Sequence, residues 1–293
     1  MTTVPTSIEA ELVIITVAKD NPDELMSTCQ SITHQSLAPQ RHLVVDGSAS
    51  SLREKMEDIS TRHGAQYVWA EPDGIYRAML KGLDLAEPSD WVWFLNATDW
   101  LSSSVSVRKV VEAISSQAGQ KVREWWVGKT CVGGDTPHLM KFSSSGDDLV
   151  RELRKGSIGL PHSSTIVQGS ALRAVRAFEG PYRISRDYEM GLRLSQVFGS
   201  PGLIQFPLSI YDESGESAQN AWRNVLHKSE ARIKTQPLWQ LPAEPFRILE
   251  AGKRELQRRR IRKNPDNERL WRALGWERID PEMAQPFWER EGA

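Results

Sequence analysis

Short apolar runs alternate with amphipathic stretches along the first hundred residues. Leu12 to Val17, LVIITV, is a continuous and largely β-branched run, the pattern of a strand buried on both faces. Pro22 opens a helical stretch that runs through Ile32. Leu43-Val44-Val45 predicts a second strand ending at Asp46, and the polar turn GSASS leads into a charged helix around Leu52 to His63. Gln66 to Trp69, Ile75 to Leu85 and Trp91 to Leu95 then read as strand, helix and strand. Strands and helices alternating at this spacing predict a parallel sheet covered by helices on both faces. Such sheets bind ligands beyond the carboxyl ends of their strands. Thr16 to Lys19, Asp46 to Ser51, Glu71 to Gly74 and Asn96 to Asp99 are thereby expected along one rim.

After Val110 the pattern changes. Glu124 to Val132 and His138 to Phe142 read as strands separated by the turn-rich GGDTP. Ser163 to Val167 is a short strand, and Asp187 to Val197 a helix with Met190, Leu194 and Val197 at helical spacing. Ile204 to Ile210 is a strand interrupted by Pro207, which predicts an edge position. A long helix from about Ala218 to Ile233 follows the acidic loop DESGE. Beyond Pro237 basic residues accumulate: from Phe246 to Arg278 eleven Arg or Lys stand against five Asp or Glu. The division expected is a domain over 1–235, with halves at about 10–110 and 111–235, and a basic helical tail over 236–293.

Composition narrows the class. The 293 residues carry 37 Lys or Arg and 38 Asp or Glu, a net charge of −1, which argues against a nucleic-acid partner. Two cysteines, Cys29 and Cys131, are too few for a zinc cluster or a disulfide framework and suggest a reducing compartment. No apolar run nears the roughly 20 residues that cross a bilayer. The first ten residues lack a basic and apolar leader. A cytoplasmic protein is expected.

Asp46, Asp73, Asp99 and Asp187 stand at strand ends or before a helix. Carboxylates at the mouth of a parallel sheet can grip a ribose, hold a divalent cation or deprotonate a hydroxyl. Singly, each could equally serve as a turn or cap residue. Arg77 and Lys81 lie one helical turn apart and share a face, either as a solvated basic surface or as charge for a phosphate. Arg186, beside Asp187, could hold an acceptor's anionic group or pair with Glu189. Trp91 and Trp93 alternate toward one face, as core residues do. Trp125-Trp126 fits either a structural strand or a sugar-stacking groove.

The stretch EPDGIYRAMLKGLDLAEPSDWVWFLNATDW, Glu71 to Trp100, resembles the heart of family 2 glycosyltransferases of the GT-A fold. LVIITVAKDN resembles that family's first nucleotide-binding strand, and LVVDGSASS its second. PHSSTIV and ISRDYEMGLRL resemble its acceptor-half segments. The resemblance covers about residues 10 to 235. It implies an α/β GT-A fold and transfer of a sugar from a nucleotide-diphosphate donor to a glycan or lipid-linked acceptor. It also implies donor contacts at Thr16, Val17, Asp46, Asp73, Lys81 and Asn96, and Asp187 as general base in an inverting displacement. Mg²⁺ or Mn²⁺ would carry the departing diphosphate's charge. His162, Arg186 and Arg77 would lie near the acceptor or the phosphates.

The departures from the family pattern are local. Where it has acid, any residue, acid, this chain has Asn96-Ala97-Thr98, leaving Asp99 as the expected metal ligand. Arg77, Leu80 and Ser51 also replace the polar residues usual at their positions. These changes motivate a second reading, a catalytically silent relative that acts as a binding or scaffold partner. Two readings of the tail stand side by side. Its basic residues and Trp271, Trp276 and Trp288 would rest on an anionic membrane surface at the inner face, or its helices would pack back on the domain or on a second copy in a homo-oligomer.

Overall fold

Four parallel strands form the first half of the sheet: β1 (Leu12–Ala18), β2 (Arg41–Asp46), β3 (Gln66–Trp69) and β4 (Trp91–Asn96). In this computed structural model residues 11–117, 122–134, 137–180, 184–211, 221–236, 242–265 and 267–290 are described. β1 is central, with Thr16 opposite Val44 of β2 on one side and opposite Leu95 of β4 on the other. All of its residues are buried, as its unbroken apolar run requires. Alternate side chains enter two different cores. Val13, Ile15 and Val17 join Leu43, Val45, Val92 and Phe94 on one face. Leu12 and Ile14 join Trp91, Trp93 and Leu95 on the other. The two tryptophans are core residues, and the Trp93 indole N–H donates to the Ser163 carbonyl at 2.8 Å.

The crossover helices are α1 (Pro22–Thr33), α2 (Arg53–Arg62) and α3 (Ile75–Asp84). Pro at the start of α1 forgoes an N–H that has no helical partner there, and Asp23 and Glu24 complement the positive end of the helix. Gly82 lets α3 lie close on β1: a Cβ there would sit 2.4 Å from the Ile15 side chain.

The second half is mixed. It contains β5 (Trp100–Leu101), α4 (Ser106–Ser115), β6 (Trp125–Val132), β7 (His138–Leu139) and α5 (Gly146–Lys155). A 3₁₀ turn at His162–Ser164 precedes β8 (Thr165–Gln168), α6 (Gly169–Ala174), α7 (Arg186–Val197) and β9 (Gly202–Tyr211). α5 begins at Ser145, whose hydroxyl accepts from the Asp148 N–H, and ends at left-handed Gly156. β8 runs antiparallel to both β4 and β6. The strand expected over His138 to Phe142 is shorter, covering two residues. Trp125 and Trp126 are buried within β6, the first donating to the Gly199 carbonyl at 3.1 Å. Their role is structural, and they form no sugar-stacking groove. β9 lies along β6, and the register shifts where Pro207 faces Lys129, which accommodates the missing N–H. At Ser209 and Ile210 the strand gains β5 as a second neighbour.

The C-terminal part comprises α8 (Ala221–Thr235), α9 (Glu244–Lys263), α10 (Glu268–Leu274), β10 (Glu277–Arg278) and α11 (Phe287–Arg290). It packs back on the protein. β10 pairs with β7 and extends the sheet, whose order is β10-β7-β6-β8-β4-β1-β2-β3. Trp271 and Trp288 are buried, and Trp276 stacks on His138 with ring centroids 4.0 Å apart. These side chains therefore do not serve as interfacial anchors. No described helix is long and apolar enough to cross a membrane. The DESGE loop and the first ten residues lie outside the described residues.

One buried polar pair in the sheet sets a pH dependence. The Thr16 hydroxyl and His42 Nε2 are 3.0 Å apart across β1 and β2. Burial, and secondarily the nearby His63, lower the His42 pKa from 6.5 to about 3. His42 is thus neutral in the fold, while the unfolded chain takes up a proton as pH falls below about 6.5. The stability this group provides is fully present above that value and drains away as pH falls toward 3. Stability at pH 5 is expected to be roughly 2 kcal/mol lower than at pH 7.5 from this residue alone. Urea unfolding at both pH values checks this. His42→Gln should flatten the difference, and an unchanged difference would assign it to other groups.

Candidate active site

The carboxyl ends of β1 to β4 open into a cavity of about 440 Å³, a size that suits a small ligand or cofactor. Its rim carries Val17, Ala18 and Lys19 at the end of β1, Gly47 after β2, Ala70 to Gly74 after β3, and Asn96, Ala97 and Thr98 at the end of β4. Gly74 adopts φ +88°, a left-handed conformation that sends the chain from the rim into α3. Tyr76, one residue into α3, also lines the cavity.

The opposite wall comes from the second half. Gly159 to His162, Ile184, Ser185, Asp187 and Tyr188 contribute, together with Asn224 and Lys228 of α8, Arg258 of α9, His138 of β7 and Trp276. Asp187 lies in the first turn of α7, where the helix's positive end favours a carboxylate. Its Oδ2 is 3.8 Å from His162 Nδ1, and its Oδ1 accepts the Tyr188 N–H at 2.8 Å. His162 is almost wholly buried, and its Nε2 has no hydrogen-bond partner among the described residues. The Tyr76 hydroxyl accepts the Arg186 N–H at 3.2 Å. Burial, and next the charge of Asp187, push the Tyr76 phenol above its ordinary range.

Of the residues singled out in the sequence, the cavity gathers Val17, Asp73, Asn96, His162 and Asp187. The others point elsewhere, each for a visible reason. Thr16 is fully buried and engaged with His42. Asp46 is fully buried: Oδ1 accepts the Ser48 N–H and hydroxyl, and Oδ2 accepts the Tyr67 hydroxyl at 2.8 Å. It shapes the turn after β2 and is not placed to grip a ribose. Lys81 is exposed and does not line the cavity. Arg77, also outside it, pairs with Asp73 at 3.5 Å on the surface. Arg186 lies over the Tyr76 ring at 4.8 Å and donates to the Phe178 carbonyl, while Glu189 pairs with Arg193 at 2.6 Å. Arg186 thus anchors the start of α7 and does not line the cavity.

Asp99 is likewise turned inward. It is fully buried, its backbone carbonyl accepts the Thr28 hydroxyl at 2.7 Å, and the cavity wall stops at Thr98. A hard divalent cation takes about six oxygen ligands, carboxylates prominent among them. Here the mouth of β4 offers the Asn96 amide, whose buried Oδ1 has no partner among the described residues, and the Thr98 hydroxyl. Among the described residues no three His, Cys, Asp or Glu side chains gather closely enough to hold a metal. Asp99 is therefore not placed to hold a cation in this cavity, and the mouth of β4 offers one only the neutral oxygens of Asn96 and Thr98.

Lys228, Arg258, His138 and Trp276 were not visible as site residues in the sequence. The local basic excess of the tail was a signal for Arg258 alone; Lys228 and His138 lie outside that stretch. Burial, and then the neighbouring Arg258, lower the Lys228 pKa to about 8 against a raising influence from Asp187.

No family model matches the sequence, and no curated protein sequence matches it. Solved structures do match in fold. S. aureus TarS is 12% identical with a TM-score of 0.58, over 84% of this chain and 43% of that chain. The mannosyltransferase PcManGT from Pyrobaculum calidifontis, in complex with GDP-Man and Mn²⁺, is 14% identical with a TM-score of 0.55, over 83% and 73%. Glucosyl-3-phosphoglycerate synthase from Mycobacterium tuberculosis, in complex with Mn²⁺, UDP and glucosyl-3-phosphoglycerate, is 11% identical with a TM-score of 0.52, over 81% and 88%. The chain thus spans less than half of full TarS but most of the other two. Its fold is that of the GT-A glycosyltransferases.

Proposed function

We propose that the chain is an inverting glycosyltransferase that binds a nucleotide-diphosphate sugar in the cavity over β1 to β4. The observation that carries this reading is Asp187, set at the positive end of α7, facing the strand-end rim across one cavity and backed by His162. In the reaction proposed, an acceptor hydroxyl oxygen attacks the anomeric carbon. The bond from that carbon to the β-phosphate oxygen breaks as the new bond forms, and Asp187 takes the hydroxyl proton. A carboxylate within hydrogen-bond reach suits that proton transfer. The nucleotides named in the matched structures support a donor of this class, UDP- or GDP-linked in those proteins. For the acceptor, the reading favours a glycan or lipid-linked hydroxyl entering beside Asp187.

The loss of a metal-binding carboxylate at position 98 favours one rival, a catalytically silent scaffold. Calorimetric and thermal-shift titration with UDP, GDP, dTDP and CDP separates the two. One of the four is expected to bind, and a hundredfold excess over Kd should stabilise the fold by about 2.7 kcal/mol. Folded protein that ignores all four would overturn the glycosyltransferase reading in favour of the scaffold.

A further inference from the structure

We infer that Lys228 of α8 and Arg258 of α9 carry the charge of the donor's diphosphate, in place of a metal held by protein carboxylates. The inference rests on the nucleotide-sugar reading above and says how its most demanding step is met. A departing nucleoside diphosphate accumulates negative charge, and fixed positive charge aimed at its oxygens stabilises that departure.

Both cations line the same cavity as the strand-end rim, and both are held by aromatic faces. The Lys228 ammonium lies over the Tyr188 ring at 5.4 Å, and the Arg258 guanidinium over the Trp276 ring at 5.2 Å. Lys228 Nζ is 3.9 Å from where a Cβ on Gly159 would stand, so it reaches the loop that also carries His162. Arg258 Nη1 lies 3.9 Å from a Glu255 carboxylate oxygen one turn earlier on α9. The two cations are close enough that Arg258 lowers the Lys228 pKa, while Asp187 raises it. Placing two positive charges together costs free energy in the empty site. A bound diphosphate relieves that cost at the wall formed by α8 and α9, while the carboxylates of Glu71 and Asp73 line the strand-end rim and Asp187 the facing wall.

The metal alternative has weaker support on this chain. Asn96 and Thr98 supply neutral oxygens where a carboxylate would be needed, and Asp99 is buried away from the cavity. The other basic pair on the donor side, Arg77 and Lys81, lies outside the cavity. Among the described residues, the Lys and Arg side chains that line the cavity are Lys228 and Arg258 on the C-terminal helices and Lys19 at the β1 rim.

The test is titration of the wild-type protein with UDP, GDP, dTDP and CDP, in EDTA and again in Mn²⁺. Lys228→Gln and Arg258→Gln are titrated with the diphosphate that binds and with its monophosphate. The wild type is expected to bind one diphosphate with affinities in EDTA and Mn²⁺ that agree within about threefold. Each variant should lose about tenfold for the diphosphate and much less for the monophosphate. Diphosphate binding that needs Mn²⁺, or variants that bind as the wild type does, would overturn the cation assignment while leaving the glycosyltransferase reading intact. Failure to bind any of the four in either condition would remove both. The comparison of EDTA with Mn²⁺ uses only the wild type, so it decides even where a variant folds poorly.

Discussion

Asp187→Asn is expected to lower sugar transfer by about a hundred- to ten-thousandfold, the range a positioned acid or base contributes. The amide keeps the shape of the carboxylate, and its oxygen can still accept the Tyr188 N–H that Asp187 Oδ1 accepts at 2.8 Å. What it cannot do is take a proton from the acceptor hydroxyl. Nucleotide affinity should therefore change by no more than a few fold, and the loss should lie in kcat. Initial rates with the donor identified by titration, set beside calorimetry of the same variant, measure the two separately. Turnover retained in Asp187→Asn would move the base elsewhere, with His162 the next group to replace. Affinity lost in step with turnover would instead make Asp187 a binding residue.

The largest stability effect is expected at Glu244, at the start of α9. Arg232 on α8 is buried and grips this carboxylate with Nε at 3.0 and 3.2 Å from its two oxygens and a terminal nitrogen at 2.9 Å. Ser229 and Arg247 donate to the same group at 2.8 and 2.6 Å. Burial works against the charged form of Glu244, yet bonds from Arg232, Arg247 and Ser229 outweigh it and hold the pKa below the ordinary value. Glu244→Ala would leave a buried guanidinium without its counter-ion, which costs about 3–5 kcal/mol. Urea unfolding at pH 7.5 reads that loss, and a loss below about 1 kcal/mol would show that the pair is solvated in practice. The effect should reach the cavity, because Arg232 also donates to the Tyr188 hydroxyl at 3.2 Å, and Tyr188 follows Asp187.

The parallel half of the fold was legible because its strands are buried on both faces. An unbroken run such as LVIITV has few other places to go. Asp187 was legible for a related reason, since a carboxylate opening an amphipathic helix is a local pattern. The direction of a strand-end side chain is not local. Asp46 reads like a ribose ligand until Tyr67, 21 residues later, is seen to donate to it. Asp99 reads like a metal ligand until the turn after β4 buries it. Lys228 and Arg258 escaped notice because more than 100 residues separate them from the rim they face. A tail judged by its charge looked like a surface feature, and only the pairing of β10 with β7 reveals it as a wall.

That pairing also has a consequence for how the protein is made. β10 at Glu277–Arg278 meets β7 at His138–Leu139, and Trp276 closes onto His138 from the residue just before it. The four strands that carry the rim are complete by residue 96, before any residue of the far wall has been made. A growing chain therefore has the strand-end rim of the pocket well before Arg258 and Trp276 have been made. A chain that stopped short of residue 258 would carry the strand-end rim, Asp187 and Lys228 but would lack Arg258 and Trp276, leaving the pocket open on that side.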